Sequence, residues 1–388
     1  MKRILFVIGQ LRVGGVSKAL IELLRCIEGM YDISLLCFDQ NGAFFSDVPD
    51  SVHIVPTSNL LALTERSAKE MQAAGKRYAL LRSGLSLGTK MAGKKWPAKI
   101  LTKMVGTIPG EYDVAISYTH PMPDHMFCNL GAEIVLDCVN AKKKMVFIHC
   151  DFGAYGGNCA YNRQLLGRFD KIATVSDSVG RQIVNCVPEQ AHKVCTVRNC
   201  HDFDKIREMA GVDPVVYTSD ITFVTVARLS EEKGLLRCVP IFARLHQEGH
   251  NVRWHIVGNG PVRESLKEAI TEYGADKCIQ LEGEQVNPYR FLKNADFLLV
   301  PSFHEAAPVV FDEAAALGIK VISTQTLSAE EMVSARNIGV VCDNTDNGLE
   351  DAVRRAVLRF EEFPGKTSAT VSNEDAKAGF MKLCEDGQ

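Results

Sequence analysis

The chain has 388 residues, too many for one ordinary hydrophobic core, so two domains of about 150–200 residues are expected. It is 46% hydrophobic and 23% charged, the composition of a globular protein, and it has no run of about 18 apolar residues to span a membrane. The net charge of −3 is divided unevenly: residues 1–200 carry 24 Lys and Arg against 17 Asp and Glu, and residues 201–388 carry 20 against 30. Neither half has the strongly basic balance of a nucleic-acid binder.

Met1-Lys2-Arg3 followed by Ile4 to Ile8 has the outline of a signal peptide, but the apolar run is too short and Gly9 to Gly15 reads as a loop. Ile4–Ile8 is therefore taken as a buried strand, followed by a helix from about Ser17 to Cys26 and a strand over Ile33–Phe38. The stretch Arg66 to Lys103 is basic, with ten Lys and Arg and the single acid Glu70; Leu80, Leu81, Leu85, Leu87 and Trp96 are interleaved. It fits helices lying on an anionic membrane surface, and it fits equally a solvated basic insertion. If the membrane reading holds, neutralising Lys94, Lys95 and Lys99 should weaken the contact. Strands are expected next at Val114–Tyr118, Lys144–His149, Lys171–Val175 and Lys193–Val197.

The second half continues with strands at Ile221–Ala227, Arg253–Val257, Cys278–Leu281, Phe297–Val300 and Lys320–Ile322. Helices are expected at about Leu235–Glu248 and Val262–Tyr273. Alternation of this kind gives an α/β fold with parallel sheets covered by helices. Two such halves make two Rossmann-like domains facing a cleft: 1–200, with the basic insertion 66–103, and 201–370. In the final stretch 371–388, a helix over about Asn373 to Cys384 is expected to cross back to the first domain. The thirteen cysteines are scattered, without Cys-x-x-Cys or zinc spacing, a reduced cytosolic pattern.

Ligands in open α/β sheets bind beyond the carboxyl ends of the strands, so the chemistry is sought in those loops. After the first strand, Gly14-Gly15 allows close backbone approach to a ligand at a helix start, or is a flexible turn. Arg228 and Lys233, in Ala227-Arg-Leu-Ser-Glu-Glu-Lys-Gly234, offer cations to a departing diphosphate, or pair with Glu231 or Glu232 at a helix start. Val257-Gly-Asn-Gly-Pro261 is a tight turn before a helix. In Val300-Pro-Ser-Phe-His-Glu305-Ala-Ala-Pro308 through Glu313 to Gly318, a strand ends and a helix opens with Pro308 in its first turn and Gly318 as its C-cap. Glu305 and Glu313 then flank a phosphate-binding helix start, or are a cap and a surface carboxylate.

In order and spacing, the Arg228–Lys233 motif, the Gly258-Asn-Gly-Pro261 turn and the Glu305/Glu313 pair resemble the GT-B glycosyltransferases of family 4, which are retaining enzymes. The likeness is strongest over residues 221–322. It implies that Arg228 and Lys233 bind the donor diphosphate, that Glu305 contacts the donor sugar and Glu313 the ribose, and that the Gly14-Gly15 loop closes over the phosphates. It also implies a histidine after a middle strand of the first domain, assigned here to His149 in Met145-Val-Phe-Ile-His-Cys-Asp151, with His120 as the rival. Ala306-Ala307 departs from the family's Gly-Phe or Gly-Leu after the first glutamate, and with His304 it bears on the sugar pocket. Asp202-Phe-Asp204 reads as a hinge or helix cap in preference to a metal site.

The resemblance thus implies a nucleotide-diphosphate sugar donor, UDP-linked by preference, with no separate cofactor and no metal. The acceptor is expected to be a glycan or a lipid-linked glycan of surface polysaccharide assembly, and the enzyme is expected to work in the cytoplasm, at the inner face of the membrane if the basic stretch docks there. A non-catalytic partner subunit of the same fold and a sugar-nucleotide epimerase stay open as alternatives.

Overall fold

Ile4 to Ile8 is apolar at every position, the pattern of a strand covered on both faces, and the computed structural model, which describes residues 1–364 and 371–385, buries all five side chains. This strand is an interior strand of the first of two units, Met1–His201 together with the segment from Asn373 onward; the second unit is Asp202–Ser372.

The first unit has seven strands, β1 (Arg3–Gln10), β2 (Asp32–Asp39), β3 (His53–Ile54), β4 (Ile108–Ser117), β5 (Val139–Ile148), β6 (Lys171–Thr174) and β7 (Val194–Thr196). They form one parallel sheet in the order β3-β2-β1-β4-β5-β6-β7. The helix Glu374–Cys384 packs into this unit: Phe380 stacks on Phe6 with ring centroids 5.9 Å apart, and the Asn373 side chain bonds both the N–H and the C=O of His201.

The second unit has six strands, β8 (Ile221–Val226), β9 (Val252–Val257), β10 (Ile279–Gly283), β11 (Phe297–Val300), β12 (Lys320–Thr324) and β13 (Gly339–Cys342). Their order is β10-β9-β8-β11-β12-β13, again all parallel. In each sheet the strand order reverses once, between β1 and β4 and between β8 and β11. Such switch points open a crevice at the carboxyl ends of the two strands.

Two strands escape the sequence pattern: β3 is only two residues long, and β13 carries no alternation. The expected helix Leu235–Glu248 begins as a tight 3-10 turn over Leu235–Cys238 and becomes α-helical at Val239–Gln247, because Pro240 is tolerated only in a first turn. Pro308 stands one place earlier than expected, at the N-cap of the helix Val309–Leu317, while Gly318 caps its other end with φ 71°.

The basic insertion folds as the helices Ala68–Met71, Lys76–Ala92 and Lys95–Val105. Lys94 is corrected from a surface cation to a core residue. It follows Gly93, whose φ of 79° turns the chain, and it is wholly buried; its Nζ donates to the Met122 carbonyl at 2.8 Å and lies 3.5 Å from Glu133 Oε1. A buried ammonium needs such partners. Arg66 is likewise engaged, forked onto Asp39 at 2.8 and 2.6 Å, and its guanidinium holds the Asp39 carboxyl below the usual range. Among the described residues no helix is long and apolar enough to cross a membrane.

Candidate functional site

The β8/β11 switch point carries the residues singled out in the second unit. Two glycines set the first loop. A Cβ on Gly258 would lie 1.9 Å from the Ala227 carbonyl oxygen, and one on Gly260 would lie 2.3 Å from that of Leu229. Their absence lets the loop after β9 lock onto the loop after β8, with the Leu229 N–H donating to the Asn259 carbonyl at 2.9 Å and the Val262 N–H to that of Leu229 at 3.0 Å. Arg228 is held in this seam. Gly234, at φ 63°, does the same on the other side: its Cα faces the Pro301 carbonyl so closely that a Cβ would sit 2.2 Å away. The Phe303 N–H donates to the Glu232 carbonyl at 2.8 Å, tying the loop after β11 to the loop after β8.

That stitching brings Lys233 to Glu305. Lys233 Nζ lies 2.6 Å from Glu305 Oε1, which also accepts from Ser302 Oγ at 2.7 Å. The side chains are 23% and 12% exposed, so the pair is largely shielded from water but reachable. Arg228 takes a different partner, Glu232 Oε1 at 2.7 Å, while Ser230 Oγ donates to the same oxygen. Burial opposes ionisation of Glu232, but bonds from Ser230 and Arg228 outweigh it and bring its pKa to about 2. The local ion pair weighed in the sequence is therefore real for Arg228 and absent for Lys233. Asn344 Nδ2 braces the loop by donating to the carbonyls of Phe303 and Gln325, and Arg237 holds Asn344 and lies over the Phe303 ring.

Glu305 does not cap the helix Val309–Leu317, which has no side-chain cap. Glu313 is not on the surface: it is 4% exposed, and Tyr289 Oη donates to its Oε1 at 3.3 Å. Ala306 is buried and His304 exposed. Asp202 caps the helix Phe203–Gly211 by accepting from the Lys205 N–H.

At the first unit's switch point, Gly14 precedes the helix Gly15–Cys26 with φ 157° and ψ 165°, a conformation open essentially to glycine alone. Both glycines are exposed, no side chain caps the helix and no acid stands in its first turn. Its first N–H groups thus face outward with the positive end of the helix dipole. Nearby, an open cavity of about 570 Å³ lies at the ends of β1 and β2, lined by Gln10, Arg12, Asp39, Glu65, Arg66 and Arg82 among others.

His149 directly follows β5, packed 4.7 Å from the Tyr118 ring and stacked on Phe147 at 5.6 Å. Burial, helped by nearby His120, pushes its pKa down to about 3, and burial with Lys94 brings His120 to about 4. Both rings are neutral near pH 7. His149 Nε2 and both ring nitrogens of His120 are buried and bonded to none of the described residues. A neutral imidazole with an orphaned nitrogen suits a ligand hydroxyl, and the geometry leaves both histidines eligible.

Residues 212–369 match the model for glycosyl transferases group 1. The matched stretch lies within the second unit and takes in most of it. Similar to part of this chain is the amylovoran biosynthesis glycosyltransferase AmsK of Erwinia amylovora, 32% identical over 150 residues, covering 37% of this chain and 36% of AmsK. Matches to curated relatives such as MJ1059, AmsK and LpsD span only about a third to a half of those proteins' lengths. Among solved structures, Anabaena Alr3699/HepE in complex with UDP aligns with a TM-score of 0.63 at 15% identity, covering 99% of this chain and 96% of that one. S. aureus TarM aligns with a TM-score of 0.68 at 10% identity over 100% of both chains. These likenesses establish the fold, two Rossmann-like units of GT-B type.

Within the second unit, the motif residues Lys233 and Glu305 meet, Arg228 takes Glu232, one of the two partners the sequence offered, and Glu313 is held by a residue the motifs did not flag, Tyr289. Ser302 and Ser230 were also missed. Each is a short polar side chain beside a marked carboxylate or cation, and only the fold shows that its hydroxyl is used.

Proposed function

We propose that the protein is a retaining glycosyltransferase that moves a sugar from a nucleotide-diphosphate donor, UDP-linked by preference, to a glycan or lipid-linked acceptor of surface polysaccharide assembly. The observation that carries the reading is the Lys233–Glu305 pair at the β8/β11 switch point, with Arg228 in the adjoining seam. A diphosphate arriving there exchanges Glu305 for phosphate as the partner of Lys233 and frees Glu305 for the sugar hydroxyls. Glu313 with Tyr289 holds the ribose. Gly14 and Gly15, with the outward N–H groups that follow, serve the phosphates from the first unit, and His149 serves the donor sugar. The polysaccharide-biosynthesis relatives that part of this chain resembles and the UDP bound by HepE support the donor and acceptor classes.

In this reaction the bond from the sugar's anomeric carbon to the diphosphate oxygen breaks with oxocarbenium character, and Arg228 and Lys233 offset the charge that grows on the leaving oxygen. That oxygen takes the proton of the acceptor hydroxyl as the new glycosidic bond forms on the same face, so no protein nucleophile is needed and configuration is retained. The work is cytoplasmic, where nucleotide sugars are made, and no separate cofactor or metal takes part. A thermal-shift screen against UDP, GDP, ADP and their sugar conjugates tests the reading. A selective rise in Tm that Lys233→Ala removes supports it, and no rise with any nucleotide contradicts it.

A further inference from the structure

We propose that the exposed faces of the helices Lys76–Ala92 and Lys95–Val105 dock the protein on an anionic lipid bilayer; this deepens the reading of a lipid-linked acceptor and rests on it. Of the nineteen exposed large apolar side chains among the described residues, six lie on these two helices: Leu80, Leu87, Met91, Trp96, Ile100 and Met104. Three of them are more than 60% exposed, Leu80 at 74%, Met91 at 79% and Trp96 at 61%.

Their spacing is that of a built surface. Leu80, Leu87 and Met91 recur at i, i+7 and i+11 and fall on one face of their helix, flanked by Lys76, Arg77 and Lys90. Trp96, Ile100 and Met104 recur at i, i+4 and i+8, and Lys95, Lys99 and Lys103 repeat the same spacing on the adjoining strip. Lys99 Nζ lies 5.4 Å from the Trp96 ring centroid. No acid interrupts the sequence between Glu70 and Glu111. The inner faces do the holding: Ala79, Leu85, Ala98 and Leu101 are buried in a cluster with Leu63, Met71 and Phe127. The outer apolar residues are thus not part of the core.

Charge decides the occupant. Protein interfaces are depleted of lysine, whereas helices lying in a bilayer surface pair Trp and Leu with lysine and arginine, and each basic residue near anionic headgroups strengthens binding roughly fivefold. Arg82 points the same way. It is two positions from Leu80, on the opposite side of the helix, and it lines the cavity at the ends of β1 and β2. One helix thereby connects a bilayer-facing stripe to a cavity able to receive the head of a membrane-borne acceptor.

The test is co-sedimentation of the full chain with phosphatidylcholine vesicles with and without phosphatidylglycerol. The wild type is expected to pellet with the anionic vesicles and to be released by salt. A Lys95→Gln/Lys99→Gln/Lys103→Gln variant is expected to bind about a hundredfold more weakly, and a Leu80→Ser/Met91→Ser/Trp96→Ala variant to stay in solution, both with unchanged Tm. Val286→Ser, an exposed residue elsewhere, is expected to bind as the wild type does. A wild type that stays in the supernatant with anionic vesicles at low salt overturns the proposal, as does self-association abolished by the same substitutions without any sedimentation. A nucleotide-induced rise in Tm that persists without vesicle binding overturns the docking alone; vesicle binding without that rise overturns the transferase reading alone.

Discussion

Lys233 Nζ and Glu305 Oε1 lie 2.6 Å apart, although 72 residues separate them in sequence. The cation proposed for the diphosphate and the carboxylate proposed for the sugar neutralise each other, and Ser302 supplies the carboxylate's second bond. Lys233→Ala leaves a largely buried carboxylate with a single donor, so a loss of about 1–3 kcal/mol in stability is expected. Glu305→Gln, which keeps the shape, should cost less. In urea denaturation, the Lys233→Ala/Glu305→Ala double variant should lose clearly less than the sum of its single variants. Losses that add within about 0.5 kcal/mol would show that the pair is not coupled.

The seam that holds Arg228 depends on glycine at position 258. Gly258 has φ 143°, and a Cβ there would overlap the Ala227 carbonyl oxygen. Gly258→Ala must therefore move backbone, and a loss of about 3 kcal/mol or more is expected. Gly274→Ala, also at positive φ but in open space, carries only the conformational strain and should cost about 1–2 kcal/mol. Equal losses at the two sites would remove the argument for close approach.

The two buried histidines predict how stability changes with pH. Their pKa values are depressed in the folded chain, to about 3 for His149 and about 4 for His120, below the unfolded value near 6.5. Between these limits the unfolded chain binds more protons, so stability should fall as pH drops from about 6.5 towards 4 and should be insensitive to these groups above about 7. His120→Asn should flatten the slope of unfolding free energy against pH by about one proton near pH 5. An unchanged slope would mean that His120 titrates normally in the folded chain.

The sheets were legible because central parallel strands are nearly uninterrupted apolar runs: Phe297–Val300 is found with the same ends in the structure. The weak edge strands His53–Ile54 and Gly339–Cys342 were not, since neither has enough side chains to show a period. The motifs located the loops at the second unit's switch point and offered Glu231 or Glu232 as a partner for either cation, but did not choose among them. Nothing in the local sequence tells that Arg228 turns to Glu232 while Lys233, five residues on, reaches across to Glu305. Gly234 packs against Pro301, a contact between the loops after β8 and β11, strands that are neighbours only in the folded sheet. The burial of Lys94 was hidden for the same reason, because its partners Met122 and Glu133 come from the following strand-and-helix segment.

Glu305 and Glu313 are proposed for different halves of the donor, and affinities can separate them. Glu313→Ala should weaken binding of the free nucleotide diphosphate about tenfold, because it removes the ribose contact and leaves Tyr289 Oη without this acceptor. Glu305→Gln should leave the free nucleotide close to wild type and weaken the sugar conjugate. The opposite pattern would exchange the two roles.

The central claim is a diphosphate site built on Arg228 and Lys233, and isothermal titration of UDP into the wild type, Arg228→Ala and Lys233→Ala tests it most directly. The account predicts a single site in the wild type that loses about tenfold or more in affinity in each variant, with the fold intact. UDP binding that survives both substitutions unchanged, or a wild type that binds neither UDP nor GDP nor ADP, would contradict it.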